Sequence, residues 1–297
     1  MVRRAQLQGN GLTRSQALGD QFFSDDAFVM ALRFRSGIPV VALGSTCMHT
    51  KCKEQSITCD KSMDVWGDHC VACGIGGHLF TRHGALNHVL GDAGRVAGYT
   101  VLMEQVVPEL AHVKRNDAGE IVIKEARIDC ELFGHAFAPD HLLDGTICHP
   151  GNTSSVGAAA RDIGHAAEQG AKQKLKRYPP ARGKSILPCS METWGHMGKH
   201  LTGLLGDLAG LASRRQRERG VQPTRWLQKW RTQISMSIAL HIGRAIIDAI
   251  PKSDRYSRLF VPGAAFGGGD VVDGITSSPF ERESGHGMQS AVEDDPG

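Results

Sequence analysis

The chain contains no apolar run of about eighteen residues, the length that a membrane-spanning helix requires. Its longest apolar pattern, ISMSIALHIGRAIIDAI, is interrupted by His241, Arg244 and Asp248. The two arginines of the opening MVRRAQLQGNGLTRSQ are not followed by an apolar stretch, so no secretory signal is expected. No internal repeat is present, which excludes a solenoid or array. Formal net charge is only +3, so bulk charge demands no nucleic-acid partner. These absences leave a protein expected to be neither secreted nor membrane-bound.

What is present is size and local clustering. With 297 residues at 41% hydrophobic, the chain can bury a core as one large or two modest domains. Its basic residues gather in KQKLKRYPPARGK (Lys172 to Lys184) and SRRQRERG (Ser213 to Gly220), while the C-terminal SAVEDDPG is acidic. Clustered Lys and Arg form the footprint of phosphate contact, although each run alone is equally well read as a solvated helix face.

Five of the eight cysteines fall between Cys47 and Cys73, and clustering without a signal peptide favours metal over disulfides. Zinc takes four tetrahedral N/S ligands, usually in two close-spaced pairs. His69 and Cys73, in H-x-x-x-C, form one tight pair. The first expectation for the full set is Cys52, Cys59, His69 and Cys73, with Cys47 as the alternative fourth ligand. An all-cysteine rival uses Cys47, Cys52, Cys70 and Cys73. His78 and His83 fall outside the preferred set and read as structural hydrogen-bonders at a helix start.

Hydrophobic periodicity predicts a helix in DDAFVMALRFR, capped by Asp25 or Asp26 and ended by Gly37 and Pro39. Residues 46–78 read mostly as loop. A helix in RHGALNHVLGDAGRVAG closes at Gly98. Strands follow in YTVLMEQVV, in EIVIKEARIDCELF and in HLLDGTICHP, with a turn at NDAG. Residues 154–178 read as a helix, KSILPCSMET as a strand, and two further helices run to Pro251. From Pro262 the Gly/Ser/acidic composition predicts disorder. From residue 83 the order is α-β-β-β-α-β followed by helices, a mixed α/β unit rather than an alternating one.

Within that unit, Asp129 lies mid-strand in ARIDCELF and Asp144 in HLLDGTIC. An acid inside an apolar strand is costly unless it is paired or binds a cation. Glu104 is a third strand acid, and Lys174 follows on the next helix, i, i+4 from Tyr178. Any one of these acids is more simply read as facing solvent. Together they form the set required for metal-dependent phosphodiester hydrolysis: carboxylates for Mg²⁺ and a lysine to offset phosphate charge.

The stretch MDVWGDHCVACGIGGHLFTRHGALNHVLGDAGRVAGYTVLMEQ resembles a segment with the pattern D-x-x-G-D-H-x-x-x-C…R-H-x-x-L…A-G-x-x-V-x-x-E. That segment lies downstream of the reverse transcriptase in eukaryotic non-LTR retroelement polyproteins. It leads into a restriction-endonuclease-like domain of the PD-(D/E)XK superfamily. ARID, LLDGTI, KLKRY and LPCSMETWGHMG are similar to the motifs that follow it, and the likeness covers residues 25 to 250. The GDH…C…RH block is its most specific part. Two departures stand out: Gly145 replaces a β-branched residue after the second acid, and Thr146 stands where the signature lysine would fall. No paired-aspartate signature of a polymerase is present, so a fragment or degenerate copy of a larger element is expected.

The resemblance implies an αβββαβ PD-(D/E)XK-like core with an N-terminal zinc knuckle and C-terminal helices. The expected divisions are a lead-in with one helix (1–45), the knuckle (46–78), the endonuclease-like domain (79–212), a helical extension (213–261) and a disordered tail (262–297). Cys52, Cys59, His69 and Cys73 would hold structural zinc. Asp129 and Asp144, with Glu104, would hold Mg or Mn, and Lys174 would assist. Tyr178 and Glu192 would support the site. Lys172, Lys176, Arg177, Arg182 and Lys184 would contact the DNA backbone. DNA is the expected partner, with an RNA template and a reverse transcriptase encoded elsewhere as further ones, in the nucleus or cytoplasm. The alternative is a non-catalytic, zinc-dependent nucleic-acid-binding protein.

Overall fold

Ser24 opens the first helix: its Oγ accepts the Ala27 N–H at 3.2 Å, so Ser24 rather than Asp25 or Asp26 is the cap. In the computed structural model, residues 24–51, 57–115, 119–134, 138–152, 154–216 and 220–251 are described. The helix, α1 (Asp25–Arg35), buries Ala27, Met30, Ala31 and Phe34. A short antiparallel ribbon follows, β1 (Thr50–Lys51) with β2 (Ile57–Thr58). Then come α2 (Asp68–Ala72) and α3 (His78–Ala97), closed by Gly98 at φ 99°. The helix α3 begins earlier than its sequence pattern suggests, so Arg82 and His83 lie inside it rather than opening it.

The next elements are β3 (Thr100–Val106), a hairpin of β4 (His112–Arg115) and β5 (Ile121–Lys124), β6 (Arg127–Phe133) and β7 (His141–Cys148). The strand β4 has no counterpart in the sequence reading; it pairs only with β5, as a separate two-stranded sheet. The predicted helix over 154–178 is two pieces, α4 (Val156–Ala159) and α5 (His165–Arg177). They part at Gly164, which sits at φ 86°, a conformation that suits glycine and ends regular helix. The last elements among the described residues are β8 (Ile186–Glu192), α6 (Lys199–Arg215) and α7 (Pro223–Ala249). The tail predicted to be disordered lies outside the described residues.

The main sheet has the order β3-β6-β7-β8. The first two pairings are antiparallel and the last is parallel, with α5 in the crossover that a parallel pair requires. The chain is thus mixed α/β with a mixed sheet. Successive strand residues point to opposite faces. At Gly145 the neighbour is Asn87 of α3, and at Thr146 it is Gly170 of α5. The helices α3 and α5 therefore cover opposite faces of the sheet. The larger core joins α1, α3, α6 and α7, with Leu90, Leu205, Ile238 and Ile242 fully enclosed. A smaller cluster sets Ile128, Leu142 and Ile186 against Tyr178. Among the described residues no helix is long and apolar enough to cross a membrane.

Candidate functional site

Two chemical centres stand on this frame. The first is built by the ribbon and α2. Backbone bonds from Cys47 N to Lys61 O (2.9 Å) and from Cys59 N to His49 O (2.9 Å) extend the pairing, so Cys47 and Cys59 lie diagonally across the two segments. The helix α2 supplies His69 and places Cys73 one turn on, at its C-cap. Asp64 fixes the start of α2 by accepting the N–H groups of Asp68 (3.0 Å) and His69 (2.8 Å). The ligand atoms of Cys47, Cys59, His69 and Cys73 all lie within 4.8 Å of one another. Cys47 and Cys73 sulfurs are 3.9 Å apart, and Cys59 Sγ is 3.5 Å from His69 Nε2. Burial pushes the Cys47 thiol up to about 12 and also raises Cys73, so neither is readily a thiolate unless a cation compensates.

Three sulfurs and one imidazole are the donor set of a closed tetrahedral zinc site, and this cluster can hold such a metal. The set differs from the first expectation in one member. Cys47 stands where Cys52 was expected, and Cys52 lies outside the described residues. The all-cysteine set does not assemble, because the Cys70 thiol turns away into the core against Met63 Sδ at 3.3 Å. Among the described residues, the backbone pairing along the ribbon brings Cys47 within reach of Cys59.

The second centre lies where β6 and β7 separate. Their pairing ends at Cys130↔Leu143, and the next residues on the two strands are Asp129 and Asp144. Because the ladder stops there, Asp129 Oδ2 can accept the Gly145 N–H at 2.6 Å. Asp144 is only 2% exposed. Its Oδ1 takes the Lys174 ammonium at 2.8 Å, and its Oδ2 is buried with no hydrogen-bond partner. Lys174 therefore comes from α5 and reaches Asp144 directly.

The two acids are driven apart electrostatically. Burial pushes Asp144 up to about 6; Lys174 opposes that rise, and the adjacent Asp129 carboxylate adds to it. Burial would raise Asp129 too, but the His83 hydrogen bond and charge and the Gly145 N–H hold it below the ordinary carboxylate value. His83 Nε2 lies 3.2 Å from Asp129 Oδ2 and 3.1 Å from Gly145 O. Its bond to Asp129 raises the imidazole against the lowering effect of burial. Asn87, one turn along α3, donates from Nδ2 to His83 Nδ1 at 3.3 Å.

Glu104 is placed differently from the other two acids. The register pairing Met103 with Cys130 and Gln105 with Ile128 sets it opposite Asp129. Glu104 has φ 53°, and its carboxylate is half exposed and bonded to Arg127 Nη2 at 2.6 Å. It lines a cavity of about 380 Å³ with His83, His88, Arg127 and Asp129, so it shares the mouth of the site rather than its buried pair.

Tyr178 is buried in the smaller core. Glu192 Oε1 accepts the N–H groups of Ala166 (3.0 Å) and Ala167 (3.3 Å), holding the start of α5 from the end of β8. Lys172, Lys176, Arg177 and Arg182 are exposed on or just after α5, and Lys184 is half-buried. From the sequence His83 reads only as a structural hydrogen-bonder, and neither Asn87 nor Asp68 carries a local signal of its partner. The Asp68 carboxylate lies 3.1 Å from the buried His149 Nε2. His149 Nδ1 in turn meets Thr193 Oγ1 at 2.8 Å, tying α2 to β7 and the segment after β8.

No family model, curated protein or solved structure matches the chain.

Proposed function

We propose that this protein is a metal-dependent DNA endonuclease-like protein of the PD-(D/E)XK type, derived from a retroelement, in which the Cys/His cluster is a structural zinc knuckle. The observation that supports this best is the Asp144 carboxylate: buried, beside a second carboxylate, with one oxygen bonded to lysine and the other without a partner. A buried acceptor left bare costs about 1–3 kcal/mol, more when charged, which a bound cation would offset. The main-sheet elements in chain order, α3, β3, β6, β7, α5 and β8, with the β4-β5 hairpin and the short α4 inserted among them, and the delivery of Lys174 from α5 are consistent with the family resemblance.

Asp129 and Asp144 fit Mg²⁺ or Mn²⁺, which take hard oxygen ligands. When bound, such an ion supplies Lewis-acid activation of water and polarises the phosphate. Lys174 stands ready to offset negative charge developing on phosphate oxygens. The exposed Lys172, Lys176, Arg177 and Arg182 would bind the DNA backbone by sequence-independent phosphate contacts. Nicking at a target site would expose a 3′ end to prime reverse transcription.

The deciding experiment is a plasmid-nicking assay in Mg²⁺ or Mn²⁺ with zinc-loaded wild type and D129N. Loss of nicking in D129N with DNA binding retained is expected. Equal nicking by both proteins overturns the site assignment. If neither nicks and both bind DNA in a zinc-dependent way, the protein is a binding module on this fold.

A further inference from the structure

His83 is the side chain whose position the proposed chemistry does not use. Its Nε2 stands between two oxygens, Asp129 Oδ2 at 3.2 Å and Gly145 O at 3.1 Å, from residues that lie 62 positions away in the case of Gly145. In the neutral ring Asn87 donates to Nδ1, so the ring proton sits on Nε2, against both acceptors; in the charged ring Nε2 carries a proton as well. A carboxylate oxygen and a peptide oxygen converging on one point are what a hard cation takes as ligands. The ring is itself about a third exposed, at 32%, and lines the open cavity in front of Asp129. The neighbouring Gly84 has open space beside it. The imidazole therefore has room to leave without moving the strands.

We propose that His83 is a gate for the catalytic cation: its Nε2–H occupies the position between Asp129 and the carbonyl of Gly145, the residue after Asp144, where a divalent ion held by Asp129 would draw on both oxygens. Entry of the ion requires the ring to turn out into the cavity. This rests on the reading of Asp129 and Asp144 as the metal site, and His83 acts on that site as a positioning residue rather than a catalytic one. Asn87 sets how firmly the gate is shut, because it fixes the tautomer and the ring plane.

The test is a Mn²⁺ titration of zinc-loaded protein without DNA, followed by electron paramagnetic resonance of the free ion, for wild type, H83A, N87A and H83A/D129N. Removing the competing donor from two acceptors should tighten Mn²⁺ binding by roughly ten-fold in H83A. N87A should show a smaller gain, and H83A/D129N should lose the binding. Equal affinity in wild type and H83A, or weaker binding in H83A, overturns the gate while leaving the metal site standing. Absence of Mn²⁺ binding in every variant, H83A included, overturns the metal site itself. Zinc content and melting temperature report whether H83A folds. Where it does not, N87A carries the test, and an unchanged affinity there overturns the proposal.

Discussion

At position 145, a strand interior carries glycine, which by composition alone weakens a strand. The structure supplies the reason for it. A Cβ there would collide with Asn87 Oδ1 and would meet Asp129 Oδ2 at an ordinary contact distance of 3.4 Å. Glycine is thus what lets α3 bring Asn87 and His83 down onto the sheet at the point where the acids diverge. G145A should destabilise the protein by about 1–3 kcal/mol, the usual cost of overpacking. Truncating the obstructing side chain as well should recover part of that loss, so that G145A/N87A is less destabilised than the two single changes summed. Urea unfolding of the four proteins measures it, and strict additivity would remove the steric explanation. The acids at 129 and 144 and the lysine at 174 were legible as residue types on strands and a helix. The histidine was not, because an imidazole at a helix start carries no local sign of what lies opposite.

Among the elements, the ribbon and α2 carry the Cys/His cluster. Cys47, Cys70, Cys73, Met63 and Val71 are buried in the same core as Ile242 and Ile246 of α7. If the cluster holds zinc, as proposed, its removal should therefore loosen more than a surface loop. Chelation is expected to release one equivalent of zinc and to lower the melting temperature by on the order of 10 °C, as a loss of a few kcal/mol does in a chain of this size. C47S should lose the zinc and C52S should keep it. Zinc retained by C47S and lost from C52S would reverse the assignment of the fourth ligand. Spacing along the chain named three of the four cluster members and left the fourth between Cys52 and Cys47. The fourth depended on hairpin register, which no local pattern encodes.

Across the whole molecule, α7 runs beneath α1, α2, α3 and α6. It buries His241, whose imidazole is lowered to about 4 from the ordinary 6.5, first by burial and then by the charges of Arg244, Arg82 and His78. His49 and His78, which stack at 4.6 Å, are lowered too, again chiefly by burial. A folded-state value below the unfolded one means that the unfolded chain takes up protons more readily. The stabilising contribution is complete above about pH 6.5 and is lost as pH falls through about 4. Melting temperature should therefore decline between these limits, and H241L should flatten that decline. An acid limb unchanged in H241L would place the proton uptake elsewhere.

The sequence by itself determined the elements of the main sheet, the presence of a Cys/His cluster, and the acids and lysine of the second centre. Those follow from signals within one element: periodicity, turn residues, ligand spacing and an acid set among apolar neighbours. The tertiary structure decided the rest: that Cys47 joins Cys59, His69 and Cys73, that Lys174 reaches Asp144, and that His83 and Asn87 close on Asp129 over a glycine. It also decided that Glu104 stands at the mouth of the site, bonded to Arg127. These partnerships join elements far apart in the chain. They are set by strand register and by the packing of α3 and α5 on opposite faces of the sheet, where the energy of each contact depends on every other being made.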